Sequence, residues 1–176
     1  MVAGLGGQGV MLLGKLLSYA TCESTDKNVT FFPSYGAEQR GGTANCYVVI
    51  SDEEIGAPLG DHMDDLIVMN DPSLQKFLRK LVKGGTLFIN SSIVKSEIPR
   101  TDIAIVPVPA TEMALEMGSS KVLNLIMLGA YIGYTQVVPE QVGLDVIVRQ
   151  LGKKESLLAL NEEAFQKGLS IGKASL

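Results

Sequence analysis

The sequence predicts an α/β fold of three layers, in which a mostly parallel sheet carries helices on both faces. Short apolar and β-branched runs alternate along the chain with segments in which apolar residues recur every three or four positions. The first pattern is typical of buried strands and the second of amphipathic helices. Their alternation favours parallel strands joined by helices. Because no Gly/Ser linker, internal repeat or low-complexity tract interrupts the pattern, we expect residues 1–176 to form a single domain.

These patterns place each strand and helix. Strands are predicted at residues 2–4, 29–32, 44–51, 66–69, 86–89 and 103–106. Helices are predicted at residues 9–22, 71–82, 110–117, 122–134, 139–150 and 154–169. Asp71 is predicted to cap the helix that starts here, and Pro72 suits its first turn. Lys83-Gly84-Gly85 is expected to end that helix, and Pro107 to end the last strand.

Composition and charge exclude several classes of function. Hydrophobic residues make up 46% of the chain and charged residues 19%, which is a globular composition. The net charge of −4 and the pI of about 5.0 argue against nonspecific nucleic-acid binding, which needs a positive field. The sequence contains neither a basic segment before an apolar run nor a stretch long enough to span a bilayer. We therefore expect a cytoplasmic protein that binds neither nucleic acid nor membrane.

The few cysteines and histidines limit the chemistry that the chain can perform by itself. Cys22 and Cys46 are the only cysteines and form no C-x-x-C pair, whereas an iron–sulfur cluster normally needs four thiolates. We expect both thiols to be buried. His62 is the only histidine, which rules out a Ser-His-Asp triad or a multi-histidine zinc site within this chain. No base–nucleophile pair is evident, so we name no catalytic residue and no metal ligand.

A glycine-rich turn follows the first predicted strand. Gly4, Gly6 and Gly9 match the pattern G-x-G-x-x-G and lead into the first predicted helix. A strand, a glycine turn and a helix N-terminus together present backbone N–H groups that suit a phosphate. The second strand leads into Phe32-Pro33-Ser34-Tyr35, without the acid that would hold a ribose hydroxyl, which disfavours NAD. Two interpretations stay open: another phosphate-bearing ligand, or glycines that only allow tight packing of strand and helix.

A second glycine-rich segment, residues 33–46, reads Pro-Ser-Tyr-Gly-Ala-Glu-Gln-Arg-Gly-Gly-Thr-Ala-Asn-Cys. We expect it to form a loop that the rest of the fold holds in position. Its glycines permit positive φ angles and close backbone approach, and Arg40 stands directly before two of them. Loops on rigid scaffolds often hold binding groups, so we expect this loop to fix a charged group. Arg40 can instead form an internal ion pair with Glu38, clamp a carbonyl, or brace a subunit interface.

Together the two glycine segments, residues 4–10 and 33–46, resemble the gamma subunit of 2-oxoacid:ferredoxin oxidoreductases. Further matches lie at residues 49–52, 55–58 and 83–85, at Asn124 and at residues 128–130. The resemblance covers most of the chain. The loop at 33–46 is the motif most specific to this family. The glycine turn supports the resemblance only together with that loop.

The resemblance implies a multi-subunit enzyme that decarboxylates a 2-oxoacid oxidatively, forms an acyl-CoA and passes electrons to ferredoxin. Thiamine diphosphate is then expected on the alpha and beta subunits and iron–sulfur clusters on beta or delta, so these subunits are the implied partners. The gamma chain is expected to be inactive alone and to help hold coenzyme A, and a homodimer is one possible state of the isolated chain. The predicted cofactor-binding residues are Gly4, Gly6, Gly7, Gln8, Gly9, Tyr35, Arg40, Gly41, Gly42 and Asn45.

Substrate choice is expected to follow from other chains, because the residues lining the thiamine site lie there. The loop at 33–46 looks closest to the enzymes for 2-oxoglutarate and branched-chain 2-oxoacids, with the pyruvate enzymes next. The related beta subunit of indolepyruvate oxidoreductase shares the glycine turn but departs from the Pro-Ser-Tyr-Gly lead-in. The sequence also leaves open a free-standing nucleotide-binding or reductase domain, and a scaffold without ligand.

Overall fold

The computed structural model of the chain describes residues 1–35, 43–152 and 155–176. Its strands are β1 (Val2–Leu5), β2 (Asn28–Tyr35), β3 (Thr43–Ser51), β4 (Met63–Val68), β5 (Leu81–Asn90) and β6 (Ala104–Val108). Its helices are α1 (Val10–Ser24), α2 (Asp71–Phe77), α3 (Ala110–Glu116), α4 (Leu123–Thr135), α5 (Glu140–Leu151) and α6 (Glu155–Ala174). Single 3-10 turns, Leu78–Lys80 and Ser120–Val122, lead into β5 and α4. None of the helices in the described ranges combines the length and hydropathy needed to cross a bilayer.

The described strands form one six-stranded sheet in the order β2-β3-β1-β4-β5-β6. The β1–β4, β4–β5 and β5–β6 pairs are parallel, whereas β3 runs antiparallel to both β1 and β2. The predicted α/β fold with a mostly parallel sheet is therefore confirmed. The β2–β3 pair is antiparallel because the chain passes from Tyr35 to Thr43 without room for a crossover helix.

Helices lie on both faces of the sheet, as predicted, but they cover the two faces unequally. The larger core joins α1, α3, α4, α5 and α6 to one face, where Phe88 and Val106 of the sheet are almost fully buried. Residues 123–133 of α4 are all buried, so this helix has no exposed stripe over most of its length. In the described part of the chain, α2 is the only helix that contributes to the second core, through Leu74 and Phe77.

The predicted helix at residues 71–82 is too long. α2 ends at Phe77, a 3-10 turn follows, and β5 begins at Leu81. The residue that caps α2 is also not Asp71 but Asn70, whose Oδ1 accepts a hydrogen bond from the Ser73 N–H at 2.9 Å. A helical spacing of apolar residues over two turns predicts the helix, but it does not show that the apolar residues after it belong to a strand.

The glycines expected to end this helix instead form an irregularity within β5. Gly84 has a φ of 78° and donates its N–H to the Asp102 carbonyl at 2.7 Å. The register between β4 and β5 shifts between Met63 and Asp65 at the same place. A Cβ on Gly85 would lie 2.6 Å from the Asp64 carbonyl oxygen, so the neighbouring strand leaves room only for glycine.

Two prolines predicted to lie beyond strands, Pro33 in the loop after the second strand and Pro107 as the end of the last, lie inside strands. β2 continues past Pro33, which pairs with Cys46 of β3, and β6 continues past Pro107. Both strands lie at the edges of the sheet. A residue without an N–H is tolerated there because its free side faces away from the ladder. Two strands begin earlier than predicted, β4 at Met63 and β5 at Leu81, and α6 continues further, to Ala174. The other predicted ends agree within about two residues, within the usual differences of assignment.

Candidate phosphate-binding site at the glycine turn

The carboxyl ends of β1 and β4 define the edge of the sheet where the predicted site lies. β1 leads into α1, and the chain then returns to β2 and β3 on one side of β1, whereas β4 lies on its other side. β1 therefore lies where the order of the strands reverses. In open α/β sheets, ligands bind in the crevice at this position.

The turn between β1 and α1 has the backbone geometry of an anion site. Gly7 has a φ of 96° and Gly9, the N-cap of α1, a φ of 74°, both in the left-handed region that glycine adopts readily. The first main-chain bond of the helix runs from the Leu13 N–H to the Gly9 carbonyl at 2.9 Å. The preceding N–H groups of the first turn have no partner within the helix. No acidic side chain occupies that turn of this 15-residue helix, so no residue of the turn itself neutralises its positive end.

Gln8 has an internal role in this turn. Its Oε1 accepts a hydrogen bond from the Leu5 N–H at 2.7 Å, and its Nε2 donates to the Met69 carbonyl at 3.2 Å. The side chain thereby ties the end of β1 to the end of β4. Gly4 is enclosed by the same contacts, since a Cβ there would lie 2.6 Å from Gln8 Oε1 and 2.9 Å from Met69 Cβ. Gln8 and Gly4 therefore shape the turn, and within residues 4–9 the exposed ones are Gly6 and Gly7.

The two ends of the loop predicted at residues 33–46 lie beside the glycine turn. Thr43 pairs with Leu5, and Ala44 pairs with both Gly4 and Tyr35. Asn45, a predicted site residue, is buried at 7% exposure in β3. Four other predicted binding groups lie outside the part of the chain that the structure describes: Arg40, Gly41, Gly42 and the Tyr35 side chain. The register thus brings Tyr35 and Thr43 to the same edge of the sheet as the turn.

Asn124, for which the sequence suggested no role, also belongs to this site. It is only 2% exposed near the start of α4, and its Nδ2 donates to the Gly9 carbonyl at 3.4 Å. A Cβ on Gly9 would lie 2.6 Å from Asn124 Cγ. The two residues are 115 positions apart, so no local spacing could have predicted the contact.

A polar pair at the opposite edge of the sheet also went unpredicted. The Tyr131 hydroxyl donates to Asp65 Oδ2 at 3.0 Å, beside a cavity of about 500 Å³ that Tyr47, His62 and Asp64 also line. Burial is the main cause that raises the pKa of Asp65, with the Tyr131 hydrogen bond acting against it. Burial and the neighbouring Asp65 carboxylate raise the pKa of Tyr131 well above its ordinary value. The spacing of an acidic residue in a strand and a tyrosine in a distant helix gives no sign that the two side chains meet.

The two cysteines lie in different environments. Cys46 is buried, as expected, and its Sγ donates to the Val10 carbonyl at 3.6 Å. Burial raises the pKa of this thiol to about 11, so it is protonated at neutral pH. The prediction that Cys22 is buried is wrong, because the outer surface of α1 exposes it. Among the residues that the structure describes, no group of three or more His, Cys, Asp and Glu side chains is placed to hold a metal ion.

The chain is thus an α/β domain with a glycine turn and a long helix at the switch point of its sheet, an arrangement that other α/β domains use to bind phosphate-bearing ligands. The model of the family described as pyruvate ferredoxin/flavodoxin oxidoreductase matches residues 1–171. The chain belongs to this family.

Two curated relatives from methanogens are similar to this chain. The chain is 34% identical to ketoisovalerate oxidoreductase subunit VorA of Methanothermobacter thermautotrophicus over 95% of its length, but it spans 35% of that relative. It is 31% identical to 2-oxoglutarate synthase subunit KorC of Methanocaldococcus jannaschii, covering 98% of this chain and 92% of the relative. The chain therefore spans about a third of one relative and nearly all of the other.

Two solved structures share the fold. The gamma subunit of a keto/oxoacid ferredoxin oxidoreductase from Geobacter sulfurreducens has a TM-score of 0.84 and 27% identity, over 98% of this chain and 96% of that one. The 2-oxoglutarate:ferredoxin oxidoreductase of Magnetococcus marinus, solved with 2-oxoglutarate, coenzyme A and succinyl-CoA bound, has a TM-score of 0.90 and 29% identity, over 98% of this chain and 30% of that one. The resemblance to gamma subunits is thus confirmed. A free-standing nucleotide-binding domain and an indolepyruvate-type subunit are not favoured.

Proposed function

We propose that this chain is the gamma subunit of a multi-subunit 2-oxoacid:ferredoxin oxidoreductase, a single domain without activity of its own. The complex decarboxylates a 2-oxoacid oxidatively, transfers the acyl group to coenzyme A and passes two electrons to ferredoxin. Relatives named for ketoisovalerate and 2-oxoglutarate support a branched-chain 2-oxoacid or 2-oxoglutarate as substrate, ahead of pyruvate. The partners are alpha, beta and, where present, delta subunits.

Within this complex the glycine turn binds a phosphate of coenzyme A. The observation that carries this proposal is the first turn of α1, whose N–H groups follow Gly9 and which has neither a side-chain cap nor an acidic residue of its own. Such a helix end favours a negatively charged group by both its donors and its dipole. The Magnetococcus enzyme, which shares this fold, was solved with coenzyme A bound, and this adds support. Arg40, in the loop whose ends lie beside the turn, is proposed to meet a second phosphate.

The remaining cofactors are assigned to the partner subunits. Thiamine diphosphate supplies carbanion chemistry when bound, and iron–sulfur clusters carry the electrons one at a time. This chain offers an exposed thiol at Cys22 and a buried, protonated one at Cys46, which do not make a four-thiolate set. The chain's own contribution is therefore to bind and orient coenzyme A and to complete the assembly.

The subunit assignment is tested by anaerobic purification of the tagged chain from its native cell. We expect stoichiometric partner chains, the brown absorbance of iron–sulfur clusters, and CoA-dependent dye reduction by one of several 2-oxoacids. The preferred 2-oxoacid identifies the substrate. A colourless chain that purifies alone and is stabilised by NAD rather than by coenzyme A would refute the assignment.

The coenzyme A contact is tested in the intact complex with Gly7→Leu and Arg40→Ala. Gly118→Leu is the matched control for the first, because Gly118 has a φ of 81° and, like Gly7, leaves a Cβ placed on it with no atom within 4 Å. Arg79→Ala, at an exposed arginine distant in sequence, is the control for the second. We expect weaker binding of coenzyme A for Gly7→Leu and Arg40→Ala only. Unchanged affinity in both variants would exclude the contact.

A further inference from the structure

The N-termini of two long helices meet at Gly9. α1 starts there, and α4 starts at the same edge of the sheet, where Asn124 touches Gly9. From this edge α4 runs to the opposite one, because its Tyr131 reaches Asp65 in the first half of β4. The first turn of α4, like that of α1, contains no acidic residue. The positive ends of both helix dipoles therefore lie side by side at the glycine turn.

The hydrogen bond from Asn124 fixes one peptide unit of this turn. Asn124 Nδ2 donates to the Gly9 carbonyl, which also accepts the Leu13 N–H of the helix. In a trans peptide the carbonyl of one residue and the N–H of the next point in opposite directions. Because the Gly9 carbonyl is held towards α4 and the helix interior, the Val10 N–H is directed outwards, towards the position proposed for the phosphate.

We infer that Asn124 is a positioning residue for the anion site at the glycine turn. It does not touch the ligand, since it is almost fully buried, and it acts through the Gly9–Val10 peptide. Gly9 has a left-handed backbone and no side chain of its own to restrain it, so a partner from another helix supplies the restraint. This inference rests on the proposed binding of coenzyme A at the same turn.

The inference is tested in the assembled complex with two variants of Asn124. Asn124→Leu keeps a similar volume but has no donor, and the Gly9 carbonyl keeps its bond from Leu13, so the fold is retained. Asn124→Ala is the second variant and removes the side chain without adding bulk. Thr21→Val is the matched control, because Thr21 is fully buried in α1 and its hydroxyl donates to the Leu17 carbonyl of the same helix.

We expect both Asn124 variants to raise the KM for coenzyme A about fivefold, the equivalent of one net hydrogen bond, with kcat unchanged. Thr21→Val is expected to lower the thermal midpoint without changing this KM, which separates positioning from general loss of stability. If Gly7→Leu raises the KM but the Asn124 variants do not, the positioning role is wrong and the proposed site stands. If Gly7→Leu also leaves the KM unchanged, the site itself is wrong, and the inference falls with it.

Discussion

Replacement of Gly168 by alanine gives a direct test of how α4 is held beneath α6. A Cβ on Gly168 would contact the Ile126 carbonyl oxygen and would lie 2.9 Å from the Ile126 carbonyl carbon and 3.0 Å from the Ala130 nitrogen. All three atoms belong to the backbone of α4. No side-chain rotation can relieve the overlap, so the two helices must move apart.

The size of the effect follows from two opposing contributions. Alanine is favoured over glycine inside a helix by about 1 kcal/mol. Overpacking of a core typically costs about 1–3 kcal/mol, and we take the upper end because backbone meets backbone. The expected net loss is therefore about 2 kcal/mol of unfolding free energy, which corresponds to a drop of about 4–8 °C in the thermal midpoint for a chain of this size.

Urea denaturation of the isolated chain, followed by circular dichroism, measures this loss. Ser170→Ala is the control, because Ser170 lies on the same helix but is exposed. We expect this control to be near wild type. If Gly168→Ala proves as stable as wild type or more stable, the close approach of α4 and α6 does not limit the side chain at this position, and helix propensity decides the outcome.

Further predictions concern the glycine turn and two carboxylates. Gly9→Ala should destabilise the chain more than Gly7→Ala, because both have positive φ but only a Cβ on Gly9 meets another side chain; equal denaturation midpoints would contradict this. Tyr131→Phe should destabilise more at pH 7 than near pH 4, since burial raises the pKa of Asp65 and its charged form, which develops as pH rises, needs the hydroxyl most. Asp71→Asn should destabilise at pH 7 and converge with wild type below about pH 4, because hydrogen bonds, first from Ser96, lower the pKa of Asp71 and stability is lost as it protonates. Denaturant midpoints measured across pH test both.

Features set by neighbouring residues were predictable from the sequence. The strand, glycine turn and helix from Val2 to Ser24 follow from local periodicity and from backbone angles that favour glycine. The antiparallel β2–β3 pair and the continuation of β5 through Gly84 depend on neighbouring strands. The apolar residues of β2, β3 and β5 look the same in the sequence whether these strands pair in parallel or antiparallel and whether or not they continue through a glycine.

The sequence did not predict the roles of residues whose partners lie far away along the chain. Asn124 carries no sign of its contact with Gly9, because a buried asparagine near a helix start reads as an ordinary cap or turn residue. The same holds for Asp65 and Tyr131, whose side chains meet at 66 positions apart. Resemblance to a family singled out Asn124, but only the fold explains what it touches.

The chemistry of the turn also indicates what this domain does not select. Its exposed surface at Gly6 and Gly7 is backbone, and backbone N–H groups distinguish an anion from a neutral group but not one acyl chain from another. Relatives named for ketoisovalerate and for 2-oxoglutarate are both similar to this chain in sequence, whereas coenzyme A is the substrate that the proposed reactions have in common. A domain that binds only a phosphate of coenzyme A, as proposed, suits every member of such a set. Selection of the 2-oxoacid is then expected to depend on side chains of the partner subunits.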